Sequence, residues 1–209
     1  MRPGCCGDAW ENMKSCLTYL GLLALVALVV AGIVLVPAYG ILRHAKITVE
    51  DASLTRFALV KTPVTLIAYN LTLKLEIHNP NWAIGIKYDE PLVASYNFDG
   101  QPLDRVQVAG KGGKVGARRT AVYRVGSSSA GAGATLGSAG EAWFREQNAT
   151  GVFEVAARLT GKFKYTARYT KCELVATCPL KLRLTPPGTM GVAGFERVTC
   201  TLDKAKKYC

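Results

Sequence analysis

The sequence predicts an all-β, antiparallel sandwich that carries one short helix and follows a single N-terminal transmembrane helix. Three observations carry that reading. No charged side chain occurs from Ser15 to Leu42. Period-two alternation of apolar and polar residues runs through most of the remainder. Clusters of Asn, Asp, Gly and Pro interrupt that alternation at short intervals, as turns would.

The helix comes first. Leu17–Val36 is almost wholly aliphatic, and twenty residues at the helical rise span about 30 Å, the depth of a bilayer's hydrocarbon core. A helix also satisfies every backbone N–H and C=O internally, which lipid requires. Pro37 is a natural stop. The chain therefore divides into a cytosolic tail (1–16), a transmembrane helix (17–37), a juxtamembrane linker (38–45) and a β domain (46–209). A cleaved signal peptide is the competing reading, with Ala38-Tyr39-Gly40 as its small-x-small site. Its apolar core is usually about 7–15 residues, and this one is longer and follows a polar stretch, so an uncleaved anchor is preferred.

Charge does not orient the anchor. Arg2, Lys14 and the amino terminus face Arg43, Lys46 and Arg56 across it, close to a draw under the positive-inside rule. The cysteines and sequons are more informative. Cys172, Cys178, Cys200 and Cys209 form an even set within the domain, which fits an oxidising compartment. Asn70-Leu71-Thr72 and Asn148-Ala149-Thr150 are acceptor sequons, so Asn70 and Asn148 are candidate glycosylation sites. The expectation is a cytosolic N-terminus and an extracellular domain. Cys5, Cys6 and Cys16 then lie beside the bilayer in reducing cytosol, as S-palmitoylation sites or as unmodified thiols.

Within the domain, Leu71, Leu73, Leu75 and Ile77 alternate with Thr72, Lys74, Glu76 and His78, and Asn70 falls on the solvated side. Phe153, Val155, Ala157 and Leu159 continue in the same odd parity as Phe163, Tyr165, Ala167 and Tyr169. Two strands, or one strand bent at Gly161, fit equally. Shorter strands are expected at Lys46–Glu50, Leu54–Val60, Ile84–Tyr88, Leu92–Phe98, Val106–Ala109, Thr120–Val125, Leu180–Thr185 and Arg197–Leu202. Asn79-Pro80-Asn81, Asp99-Gly100 and Lys111-Gly112-Gly113 supply turns between them. Leu136–Gln147 reads as a short helix, and the Gly/Ser/Ala stretch 126–133 before it as a surface loop. Cys178 shares parity with Leu180, Leu182 and Leu184, and Cys200 with Val198 and Leu202. Both thiols point inward, which predicts a Cys178–Cys200 bridge among the three pairings that four cysteines allow and leaves Cys172–Cys209 to pin the tail.

The ordered set Asn79-Pro80-Asn81, Ile84-Gly85-Ile86-Lys87-Tyr88-Asp89, Ala94-Ser95-Tyr96, Gly100-Gln101-Pro102-Leu103, Gly151-Val152-Phe153-Glu154-Val155 and Gly161-Lys162-Phe163-Lys164-Tyr165, with the spacing of Cys178 and Cys200, resembles the plant NDR/HIN-like (NHL) proteins of the type-2 late-embryogenesis-abundant superfamily. The resemblance implies an immunoglobulin-like sandwich of about seven strands, a plasma-membrane location, a role in defence and stress responses, and no enzymatic activity.

The residues agree on the last point. A hydrolytic site needs a nucleophile, a base and an orienting group. The histidines are His44, beside the membrane, and His78, next to a turn. No spacing suggests a metal, and no cofactor motif occurs. Basicity is the positive feature. The chain carries a net charge of +11, and only Arg2, Lys14 and Arg43 of its 26 Lys and Arg precede the domain. Arg105, Lys111, Lys114, Arg118, Arg119 and Arg124 form a candidate polyanion patch with no acidic residue between the first and last. A second cluster is Arg158, Lys162, Lys164 and Arg168. Such surfaces suit anionic cell-wall polysaccharide or lipid headgroups, or are simply solvated; nucleic acid is not expected. The functional reading is a membrane-anchored interaction or membrane–cell-wall tethering module, with a lipid-binding or lipid-transfer sandwich as the alternative.

Overall fold

The computed structural model describes residues 7–36, 42–62, 64–131, 135–166, 171–185 and 195–203. The chain divides into two compact units, Met1–Ile41 and Leu42–Cys209.

The first unit is one helix, α1, over Gly7–Leu35. It starts ten residues before the apolar run, so part of the expected tail is helical. The segment Met13–Leu35 is long and apolar enough to cross a membrane. Every residue from Met13 to Val36 is exposed except half-buried Ala31. An amphipathic helix of a soluble core would hide one face; this one has none to hide. Pro37 lies outside the described residues.

The second unit contains β1 (Lys46–Thr62), β2 (Val64–His78), β3 (Ile86–Tyr88), β4 (Leu92–Phe98), β5 (Gln101–Ala109), β6 (Lys114–Val115), β7 (Thr120–Ser129), the helix α2 (Ser138–Thr150), β8 (Val152–Tyr165), β9 (Lys171–Arg183), β10 (Val198–Thr199) and β11 (Thr201–Leu202). Seven of these described strands have seven or more residues; the other four are ladders of two or three. The named strands pair antiparallel in two sheets. The first runs β10-β1-β2-β7. The second is built on β8, which pairs β9 along its length. On its other side β8 pairs β4 through residues 156–160 and β3 through residues 163–165. Gly161 stands at that fork, where a Cβ would come within 3.3 Å of the Leu92 backbone. The segment 152–165 is therefore one strand.

The sheets share one core. Phe57 of β1 packs against Phe98 of β4 and Phe153 of β8, with ring centroids 5.1 and 4.7 Å away, and against Phe144 of α2 at 5.6 Å. Contacts of this kind tie both sheets and the helix by apolar burial and ring packing.

Three sequence expectations need correction. Lys46–Glu50 and Leu54–Val60 are one strand, β1, with irregularities between Val49 and Asp51 and between Leu54 and Arg56. Each shifts the inward parity by one residue, so Val49, Ala52, Leu54 and Phe57 are all buried. Part of the Gly/Ser/Ala loop is strand, because Gly126–Ser129 extend β7 opposite Tyr69–Thr72 of β2. Residues 132–133 of that loop lie outside the described set. Finally, Arg197–Leu202 is not one strand. Its first half, β10, pairs β1, and its second half, β11, pairs β9 in the other sheet.

Candidate functional site

That change of sheet centres on Cys200, whose N–H donates to the Ile47 carbonyl of the first sheet at 3.0 Å. Its thiol is bonded to Cys178 of β9, with the Cα atoms 4.3 Å apart and a separation of 22 positions in sequence. The bridge thus sits where the chain crosses between layers. Cys172 is also buried and disulfide-bonded; Cys209, the partner expected for it, lies outside the described residues, as do Cys5 and Cys6. Cys16 is an exposed free thiol.

The Asn79-Pro80-Asn81 turn is a buried polar clamp. Asn79 is fully buried and Asn81 nearly so. The Asn79 Nδ2 donates to the carbonyls of Ile84 at 2.8 Å and Gly116 at 3.0 Å, while its Oδ1 accepts from the Asn81 backbone N–H and Nδ2. Asn81 in turn grips Arg43 at both backbone groups: its Oδ1 accepts from the Arg43 N–H at 2.7 Å, and its Nδ2 donates to the Arg43 carbonyl at 2.8 Å. The Tyr165 hydroxyl donates to that same carbonyl at 3.3 Å, and burial pushes its pKa up. The clamp fixes the chain where it enters the domain.

The expected polyanion run does not form one face. Arg105 pairs with Ser95 and Arg124 with Lys74, on the outer faces of opposite sheets. Lys114 stands beside Lys87 on the short β3–β6 ladder, and Lys111 acts on Asp89. Arg118 and Arg119 bracket the clamp: the Arg118 N–H donates to the Asn81 carbonyl at 3.0 Å, and the Asn79 N–H to the Arg119 carbonyl at 2.9 Å. Sequence spacing could not separate these positions, because a hairpin and a change of sheet lie between them.

The second basic cluster is largely paired. Arg158 faces Asp203 at 3.7 Å, Lys162 faces Glu90 at 2.8 Å and Lys164 faces Asp89 at 3.7 Å. Arg168 lies outside the described residues. A bond from the Lys171 ammonium holds the Asp89 carboxyl below the usual carboxylate range.

One feature had no sequence signal. The outer face of the second sheet carries an open depression of about 1190 Å³, floored by small side chains such as Ser95, Ala156 and Thr160 and rimmed by Arg105, Arg158 and Trp143. Arg105, Ser95 and Arg158, which line it, stand in one cross-strand row that Thr177 and Thr201 continue beyond it. Only the pairing of β4 with both β5 and β8 assembles that row. Among the described residues no three His, Cys, Asp or Glu side chains converge as metal ligands would. His78 is engaged with Thr120 at 2.9 Å. Both sequon asparagines are exposed, Asn70 in β2 and Asn148 in the last turn of α2.

No family model matches the chain. It is 31% identical over 164 residues to NDR1/HIN1-like protein 3 of Arabidopsis thaliana, a match covering 76% of this chain and 67% of that protein. Among solved structures, a Northeast Structural Genomics Consortium target aligns at a TM-score of 0.38 and 11% identity, over 73% of this chain and 94% of that one. A protein from Archaeoglobus fulgidus aligns at 0.31 and 8% identity, over 66% and 99%. Likenesses at these scores carry no argument about function.

Proposed function

Because the chain belongs to the NDR1/HIN1-like proteins, we propose that it is a single-pass plasma-membrane protein of plant defence and stress responses, with its N-terminus in the cytosol and its domain outside the cell. In this reading it is a non-enzymatic interaction or membrane–cell-wall tethering module, and the domain is a type-2 late-embryogenesis-abundant sandwich. The observation that carries the reading is a disulfide-bridged domain joined to a helix with no buried face. Disulfides persist in oxidising compartments, and an all-round apolar helix requires lipid.

The wall-facing partner proposed is an anionic polysaccharide, gripped through charge-assisted contacts by arginines that have no ion-pair partner among the described residues. Arg105, on the rim of the outer depression, is the first of these to test. Full-length protein in nanodiscs should be retained on immobilised pectate at low salt and released as salt rises. Retention that ignores salt, or that survives Arg105→Glu unchanged, would remove Arg105 from the binding surface. The helix is tested separately: the full chain should resist carbonate extraction, and N-terminal sequencing should find no new terminus near Gly40.

The alternative, a lipid-transfer sandwich, needs a cavity between the sheets. Phe57, Phe98, Phe144 and Phe153 occupy that space, and the large depression faces outward instead.

A further inference from the structure

Trp82 follows the Asn79–Asn81 clamp and is 56% exposed, which is unusual for so large an apolar side chain next to two buried asparagines. Its neighbours are basic. Arg118 and Arg119 are bonded through their backbones to Asn81 and Asn79, Arg43 is bonded to Asn81, and all three are exposed. Arg118 holds a left-handed backbone, with φ of 53°, at a position where most side chains are disfavoured. Neither Arg118 nor Arg119 has an ion-pair partner among the described residues. One corner of the domain therefore gathers the backbones of Arg43, Arg118 and Arg119 at the clamp that Trp82 follows, with all four side chains exposed.

The sequence sets how far this corner can stand from lipid. Arg43 follows Val36, the last described residue of the helical unit, by seven residues, so covalent reach alone limits the gap to about 25 Å. The clamp then prevents residues beyond Arg43 from peeling away to lengthen that tether. Indoles favour the headgroup layer, where an apolar ring and an N–H are both satisfied. Arginines next to them pair with the phosphate groups that lipid headgroups present on either leaflet.

We propose that the Trp82 corner, with Arg43, Arg118 and Arg119, docks the domain onto the headgroup surface of the bilayer that holds α1. Trp82 enters the headgroup layer and the guanidinium groups contact lipid phosphate or carboxylate. The depression on the outer face of the second sheet is separate from this contact. The proposal rests on the membrane-anchor reading.

The chain has three tryptophans, so Trp10→Phe with Trp143→Phe leaves Trp82 as the single indole. The probe is that full-length double variant in nanodiscs of phosphatidylcholine with phosphatidylserine, brominated near the headgroup end of the acyl chain. Trp82 emission should shift to the blue and be quenched by the brominated lipid while resisting aqueous iodide. Arg118→Gln with Arg119→Gln should lower the ratio of docked to undocked domain roughly thirtyfold, a factor of about five for each basic residue at an anionic surface. High salt or purely zwitterionic nanodiscs should act in the same direction. Trp82 quenched freely by iodide and not by bromine, in chains that resist carbonate extraction, overturns the docking while leaving the anchor intact. Shielding from iodide without quenching by bromine points to a protein contact and also overturns it. Chains released by carbonate overturn both readings.

Discussion

Asn81 illustrates how one side chain links sequence to mechanism. Its amide offers one donor side and one acceptor side, and Arg43 presents a matching carbonyl and N–H at 2.8 and 2.7 Å. Removing such a partner leaves buried polar groups unsatisfied. Asn81→Ala should therefore destabilise the domain by about 2 kcal/mol, seen as a lowered denaturant midpoint in nanodisc-held protein; an unchanged midpoint would show that water replaces the amide. A second test is electrostatic. The Lys171 ammonium bonds to Asp89 at 2.8 Å and keeps that carboxyl's folded pKa below its unfolded value. The sign follows from linkage: the contribution is complete above the ordinary carboxylate pKa of about 3.9 and is lost as pH falls through the lowered folded value. Lys171→Met should move the Asp89 titration upward, read from its carboxyl carbon shift by NMR. A titration that stays low would assign the effect to Lys164 and Lys111 instead.

Among the elements, the C-terminal strand pair explains why the bridge lies where it does. β10 and β11 have two residues each, too few for a ladder to hold alone. The crosslink at Cys200 fixes the point where they pass from one sheet to the other. Cys178→Ser with Cys200→Ser should cost on the order of 3 kcal/mol, the entropy of closing a loop of this length, and should expose β10 to rapid amide exchange before the remainder of the first sheet. Exchange at Val198 and Thr199 that stays as slow as in the unmodified chain would show that side-chain packing alone secures the switch. The β4–β5 hairpin is a contrasting element, held by its backbone. Asp99 and Gly100 both adopt positive φ, 49° and 73°, the geometry of a tight two-residue turn. Asp-Gly announces that turn in sequence, whereas nothing local announces β10 and β11.

At the scale of the whole molecule, an apolar helix and a bridged domain place two environments in one chain. Asn70 and Asn148 are exposed on different elements, so an extracellular domain should acquire glycans at both. Plant-expressed protein should show two stepwise mobility shifts on glycosidase treatment, one lost in Asn70→Gln and one in Asn148→Gln. Absence of both shifts in a carbonate-resistant chain would place the domain on the cytosolic side and remove the wall-facing proposal.

What the sequence determined by itself were the features with a local physical signature. These include the membrane-spanning length of Leu17–Val36, the alternation that makes β2, β4 and β8 strands, the Asp-Gly turn, and the inward parity of Cys178. Side-chain period and hydrophobicity decide each within a few residues of chain. Tertiary structure alone decided what depends on distant segments. Two bulges merge the start of the domain into β1, and partnership with β2 makes strand of the Ser-rich end of β7. A change of sheet divides the last strand. The basic run from Arg105 to Arg124 is spread over opposite faces, and the Trp82 corner is gathered from residues 43, 82, 118 and 119. Register and layer are set by hydrogen bonds between segments far apart in sequence, so no local pattern encodes them.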